Sequence, residues 1–253
     1  MFWPWLAGSA AVRPRSSVVP AMSSLQPTAP IAIAAAASAA IVTYLFLRQN
    51  KKAEAEPCCA DDDDAARSTV FRAYEATAQG NASCCVTAPV GGSNKIGYTA
   101  EAQALGAATG ADLGLGCGTP VELAALQKGE TVCDLGAGGG FDVLLAAKAV
   151  GARGKAYGVD MVPAMLEKAR SAAKRLGVHN AKYLLGEIEH LPLPDGSVDV
   201  VISNCVINLS PDKRQVCREA YRILKPGGRI AVSDVVRTQE LPDRLKNAEA
   251  LSC

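Results

Sequence analysis

Residues 131–161, TVCDLGAGGGFDVLLAAKAVGARGKAYGVDM, constrain the fold of this chain more than any other stretch. Thr131-Val132-Cys133-Asp134-Leu135 is a short apolar run and predicts a buried parallel strand. Glycines at 136, 138, 139 and 140 form a loop, and residues 141–150 have a helical composition that stops at Gly151, read as a left-handed terminator. A second strand over 156–159 ends in Asp160. A strand, glycine turn, helix and strand with an acid at the tip of the second strand place a ligand at the carboxyl ends of parallel strands. The acid then reaches a ribose hydroxyl.

The glycine spacing narrows the ligand. A dinucleotide fingerprint needs a small residue at 141, where this chain has Phe141, while Gly140 sits one place earlier. The pattern D-x-G-x-G-x-G, Asp134 to Gly140, followed by a distal acid, resembles the first motif of class I S-adenosylmethionine-dependent methyltransferases. That resemblance implies that Gly136, Gly138 and Gly140 let the backbone approach the methionine part of the cofactor. Asp134 would face its ammonium group and Asp160 its ribose hydroxyls, with Met161 alongside. Glu187 and Ile188, which end a third strand, are expected beside the adenine.

Downstream, strands and helices alternate. Pro163 opens a helix closed by Gly177, with Met165, Leu166, Ala169, Ala173 and Leu176 as its apolar stripe. Strands are expected over 181–185, 198–204 and 229–236, and a helix capped by Ser210 and begun by Pro211 runs to Leu224. This alternation predicts a doubly wound parallel α/β sheet of Rossmann-like type. A helical cap over 67–126 precedes it, so the main domain spans 127–253. The resemblance to class I methyltransferases implies two further strands in such a sheet. The fifth strand is therefore expected to be an open edge, and the sheet incomplete in a truncated chain.

The first fifty residues differ in kind. No Asp or Glu precedes Glu54. Residues 31–47, IAIAAAASAAIVTYLFL, would span about 25 Å as a helix, against a hydrocarbon core of roughly 30 Å. Arg48, Lys51 and Lys52 follow. Two readings stand side by side for residues 1–52: a membrane anchor that keeps the main domain on the cytoplasmic side, or an organelle transit peptide. Residues 53–66 read as a linker containing Cys58 and Cys59, which are exposed thiols or acylation sites. A net charge of +1 gives no footprint for nucleic acid. The nine cysteines are too many for an ordinary cytosolic enzyme and too scattered for a small disulfide scaffold.

The run 186–236, GEIEHLPLPDGSVDVVISNCVINLSPDKRQVCREAYRILKPGGRIAVSDVV, with ADLGLGCGTP and SCC upstream, resembles the arsenite methyltransferase family over about residues 68–253. Its most telling element is ISNCVINLS, with Cys205 at the end of the fourth strand. The resemblance implies that Cys205 and a second cysteine after the fifth strand, here Cys253, grip trivalent arsenic. An upstream cysteine, Cys84 or Cys85, would act with them. A soft centre such as arsenic exchanges oxygen for thiolate sulfur. Its lone pair attacks the sulfonium methyl without a general base, so neither His179 nor His190 is needed. Holding arsenic about 3 Å from the methyl supplies the acceleration by proximity. By the same resemblance, a cysteine disulfide returns two electrons to arsenic, and an external thiol such as glutathione or thioredoxin resets the enzyme. Cys133 on its strand and Cys217 on its helix are expected to be buried packing residues, and Cys117 to shape the cap. A monomer is expected. Two other readings remain open: a methyltransferase for a quinone or another small carbon acceptor, and a thiol protein that binds arsenite without turnover.

Overall fold

The computed structural model describes residues 60–81, 96–236 and 238–239, the first three by backbone alone. All lie in the compact unit Cys59–Cys253. The apolar run 31–47 and the cysteines at 58, 59, 84, 85 and 253 lie outside the described residues. Among those described, no helix is long and apolar enough to cross a membrane.

In chain order the elements are α1 (Ala60–Ala78), α2 (Ala100–Thr109), α3 (Pro120–Leu123), β1 (Thr131–Leu135), α4 (Phe141–Val150), β2 (Lys155–Asp160) and α5 (Pro163–Leu176). Then come β3 (Ala181–Leu185), β4 (Val198–Asn204), a 3-10 turn at Ile207–Leu209, α6 (Lys213–Ile223) and β5 (Leu224–Ser233). The sheet order is β3-β2-β1-β4-β5, and every pairing is parallel. The strand order reverses beside β1, between β2 and β4, so a crevice opens above the carboxyl end of β1.

The period of two in β1 divides the core. Val132 packs with Leu144, Val150, Leu166 and Ala169 of α4 and α5 on one face. Cys133 and Leu135 pack with Val216, Ala220 and Ile223 of α6 on the other. Cys133 is fully buried, and burial pushes its thiol well above the ordinary range, so it behaves as a small apolar residue. α1 lies over the start of α5, with Ala78 against Val162 and Met165.

Several boundaries differ from the sequence expectation. The segment 60–66, read as linker, is the first part of α1. Its aspartates fall at the helix N-terminus, where carboxylates offset the macrodipole. α6 begins at Lys213 rather than Pro211, because Asp212, not Ser210, caps it by accepting from the Gln215 N–H at 2.9 Å. Ser210 instead donates to the Glu189 carboxylate. Cys217 is exposed, since α6 turns Val216, Ala220 and Ile223 inward and leaves position 217 on the outer side. Leu176 ends its stripe at the surface. Gly151 has φ 70° and ψ −177°, a glycine conformation but not the left-handed helical one.

β5 starts at Leu224 and stops at Ser233, short of Val236. It advances from 224 to 229 while β4 advances from 198 to 200, so Pro226-Gly227-Gly228 bulges out where no ladder bond is required of the proline. Among the described residues β5 is an edge strand, with Ile230 and Val232 exposed.

Candidate active site

The crevice above β1 is a pocket walled by the turn after β1, the tips of β2, β3 and β4, the loop before α3 and the inner face of α1. Of the residues expected to hold a cofactor, Asp134, Gly136, Gly138, Asp160, Met161 and Ile188 line it. Gly140 and Glu187 are not in the wall. Gly140, at φ 83°, precedes α4, and a Cβ there would lie 2.7 Å from Ala169 Cβ and 2.9 Å from Tyr183 Cε1. Its smallness therefore seats α4 against α5 and β3. Glu187 points to α1 instead, with an oxygen 3.8 Å from Arg67 Nε.

Asp160 binds backbone with both oxygens: Oδ2 accepts from Gly138 N–H and Oδ1 from Val162 N–H, each at 2.8 Å. Each oxygen keeps a lone pair for a ligand hydroxyl. Asp142, in the first turn of α4, accepts from the Tyr98 hydroxyl at 2.7 Å and from Asn204 Nδ2 at 2.9 Å. Asp134 is 3 % exposed, and no hydrogen-bond donor among the described residues reaches its carboxyl. Burial raises its pKa well above the usual carboxylate range, and repulsion from Asp142 and Asp160 adds to this. Burial likewise raises Asp142 and Asp160, although their hydrogen bonds pull the other way. Among the described residues the wall holds Asp112, Asp134, Asp142, Asp160 and Glu189 against one cation, Arg67, which already meets Asp64 and Glu187. Such a site suits a cationic ligand.

Cys205 lies in the wall where β4 ends. Its N–H donates to Ser233 O at 2.8 Å, and its φ of 55° swings the chain out of the sheet. A non-glycine residue pays for that conformation, which is typical of a functional position. Cys205 is disulfide-bonded to Cys117, with the two Cα atoms 5.9 Å apart. Cys117 is the residue that sequence reading missed. Its flanking glycines were the available signal: a Cβ on Gly116 would lie 2.7 Å from Asn204 Nδ2, and one on Gly118 would lie 2.6 Å from Ser233 Cβ. The loop is thus laid directly on the ends of β4 and β5. Tyr98, Asp142 and Asn204 also escaped the sequence reading.

Residues 126–253 match the methyltransferase domain family. The chain belongs to that family. S-adenosylmethionine is accordingly its cofactor, and the acid-rich wall fits the sulfonium and ammonium charges of that molecule. An arsenite methyltransferase from Halobacterium salinarum is 52% identical over 165 residues, 65% of this chain and 42% of that protein. Another from Aquipseudomonas alcaligenes is 48% identical over 143 residues, 54% of this chain and 41% of that protein. The matched part of this chain thus spans less than half the length of these curated relatives. A crystal structure of an arsenic(III) S-adenosylmethionine methyltransferase from Chlamydomonas reinhardtii is 49% identical, with a TM-score of 0.48, covering 51% of this chain and 46% of that one.

Proposed function

We propose that this methyltransferase methylates trivalent arsenic held by the thiolates of Cys117 and Cys205. The observation that carries the reading is the meeting of these two cysteines, one of them in the wall of the cofactor pocket. The names of the two relatives point to the same substrate. Two thiols at this distance suit a soft centre that prefers sulfur to oxygen. Further sulfur ligands would come from Cys84, Cys85 or Cys253.

When bound, S-adenosylmethionine supplies an electrophilic methyl group on a sulfonium. Asp134, whose carboxyl no donor among the described residues reaches, would take the cofactor ammonium, and Asp160, which clamps the glycine turn, would take the ribose hydroxyls. Gly136, having no Cβ, makes room for the Val206 side chain in the pocket wall. Transfer would form an As–C bond from the arsenic lone pair while the C–S bond of the donor breaks with its electrons going to sulfur. No proton has to be removed. Arsenic thereby becomes formally pentavalent. Two thiolates that hand two electrons back to it become a disulfide, and the Cys117–Cys205 bond is the state such a step would leave. An external thiol of the glutathione or thioredoxin kind restores the pair by exchange.

The test uses phosphine-reduced protein with arsenite and S-adenosylmethionine, followed by mass spectrometry for S-adenosylhomocysteine and methylated arsenic. Donor consumption should depend on arsenite and should disappear in both Cys117→Ser and Cys205→Ser, while donor binding persists. Arsenite uptake without methylated product would leave a binding protein. Turnover that both serine variants retain would remove arsenic from the reading.

A further inference from the structure

Apart from its disulfide and its packing on Asn204 and Ser233, the loop carrying Cys117 has few hydrogen bonds. Among the described residues, two hydrogen bonds reach the backbone of residues 115–118, and both go to one side chain. Asn204 Oδ1 accepts from Cys117 N–H at 2.9 Å, and Asn204 Nδ2 donates to Gly118 O at 2.9 Å. Asn204 is also the residue before Cys205, whose own N–H is fixed on Ser233 O at 2.8 Å. Once the disulfide is reduced, this amide is the link to the backbone of the Cys117 loop among the described residues, beside the Cys117 Sγ, which lies 3.4 Å from the Ser233 carbonyl that accepts from Cys205 N–H.

The amide is itself held in one orientation. Nδ2 lies 2.9 Å from Asp142 Oδ2 and 3.0 Å from the Tyr98 hydroxyl, which donates to the other Asp142 oxygen at 2.7 Å. Turning the amide over would aim its oxygen at a carbonyl and a carboxylate, and its NH2 at an N–H. Only an amide of this length presents an acceptor to 117 and donors to 118 and 142 at once. An aspartate of the same shape would meet Gly118 O and Asp142 with a negative oxygen.

We propose that Asn204 is the positioning residue that holds the reduced Cys117 and Cys205 thiols at pairing distance, so that both sulfurs can engage one thiophilic centre. The proposal deepens the arsenic reading and rests on it only for the identity of that centre. A side chain that fixes the loop raises the effective concentration of one thiol at the other, as a well-matched tether does.

The measurement is the thiol–disulfide equilibrium of the Cys117–Cys205 pair in glutathione buffers. It is made on the full chain with S-adenosylmethionine bound, by alkylation trapping and peptide mass spectrometry. Asn204→Ala and Asn204→Asp should each lower the effective concentration at least tenfold, while unfolding of the reduced protein stays as cooperative as in wild type. An unchanged effective concentration in both variants would overturn the proposal, and so would a loss of cooperative unfolding in both, which would mark a general structural support. A second readout needs no change at 204: hydrogen exchange of the Cys117 amide in the reduced wild-type protein. Protection there supports the tether, and exchange at the rate of an open loop refutes it. Neither readout uses arsenic. A reduced pair that is well positioned yet takes up no arsenite would reject the substrate and leave the role of Asn204 standing.

Discussion

Asp160 Oδ2 accepts from the Gly138 N–H at 2.8 Å, so the acid that ends β2 holds the turn that follows β1. With Val162 N–H on the other oxygen, the side chain makes two charge-assisted bonds to backbone before any ligand arrives. Asp160→Ala should cost on the order of 2–4 kcal/mol of stability, less than two such bonds sum to because a buried carboxylate is also removed. It should also weaken S-adenosylmethionine binding at least tenfold. Asp160→Asn should sit between wild type and alanine, because one oxygen still accepts. Calorimetric titration and thermal melts check both arms, and an alanine variant with wild-type melting and affinity would contradict this placement.

Asp134 gives an opposite expectation for stability and for binding. Its pKa is raised in the folded protein, so the folded state binds the proton more tightly than the unfolded chain. Its contribution to stability is present below the unfolded pKa and is lost as pH rises through the folded one. The ligand-free protein should therefore melt lower as pH climbs past the ordinary carboxylate range. Affinity for the cationic cofactor should rise over the same interval. Asp134→Asn should stabilise the ligand-free protein at neutral pH, flatten its melting profile, and weaken donor binding by about tenfold or more, each tenfold being about 1.4 kcal/mol. Melts across pH with and without donor decide it.

Gly136 faces Val206 so closely that an added Cβ would collide with both Val206 methyls, and its φ is +65°. Gly136→Ala should thus cost more than about 1 kcal/mol of stability. The displaced Val206 adjoins Cys205, so the variant should also disturb the cysteine pair, read as slower disulfide closure. Gly138 has open space around its Cβ position at φ +50°, and Gly138→Ala should show the backbone cost alone.

Arg222 ties α6 to the loop that follows β3. Its guanidinium donates to Glu219, Asp195 and the carbonyls of Leu191 and Leu193. Lysine offers a point charge where this planar fork makes several bonds. Arg222→Lys should lose about 1–2 kcal/mol in urea unfolding, discounted for partial exposure, and Arg222→Ala should lose little more. A lysine variant as stable as wild type would show that the packing of α6 alone holds the loop.

The sequence by itself settled the sheet. The strands β1, β3 and β4 fall where their apolar runs and flanking glycines placed them. Local steric rules and a period of two decide such segments without reference to distant residues. Asp134 and Asp160 were legible for the same reason, since a strand end fixes which way its last side chains project. Tertiary structure alone decided the partner of Cys205. Cys117 is 88 residues away, in a loop without periodicity, and its position comes from glycines yielding to Asn204 and Ser233. Asn204 itself reads in sequence as the last residue of a strand. Its function arises only where β4, the loop before α3 and the first turn of α4 converge, because a hydrogen-bond network across such separations exists only once the chain is packed.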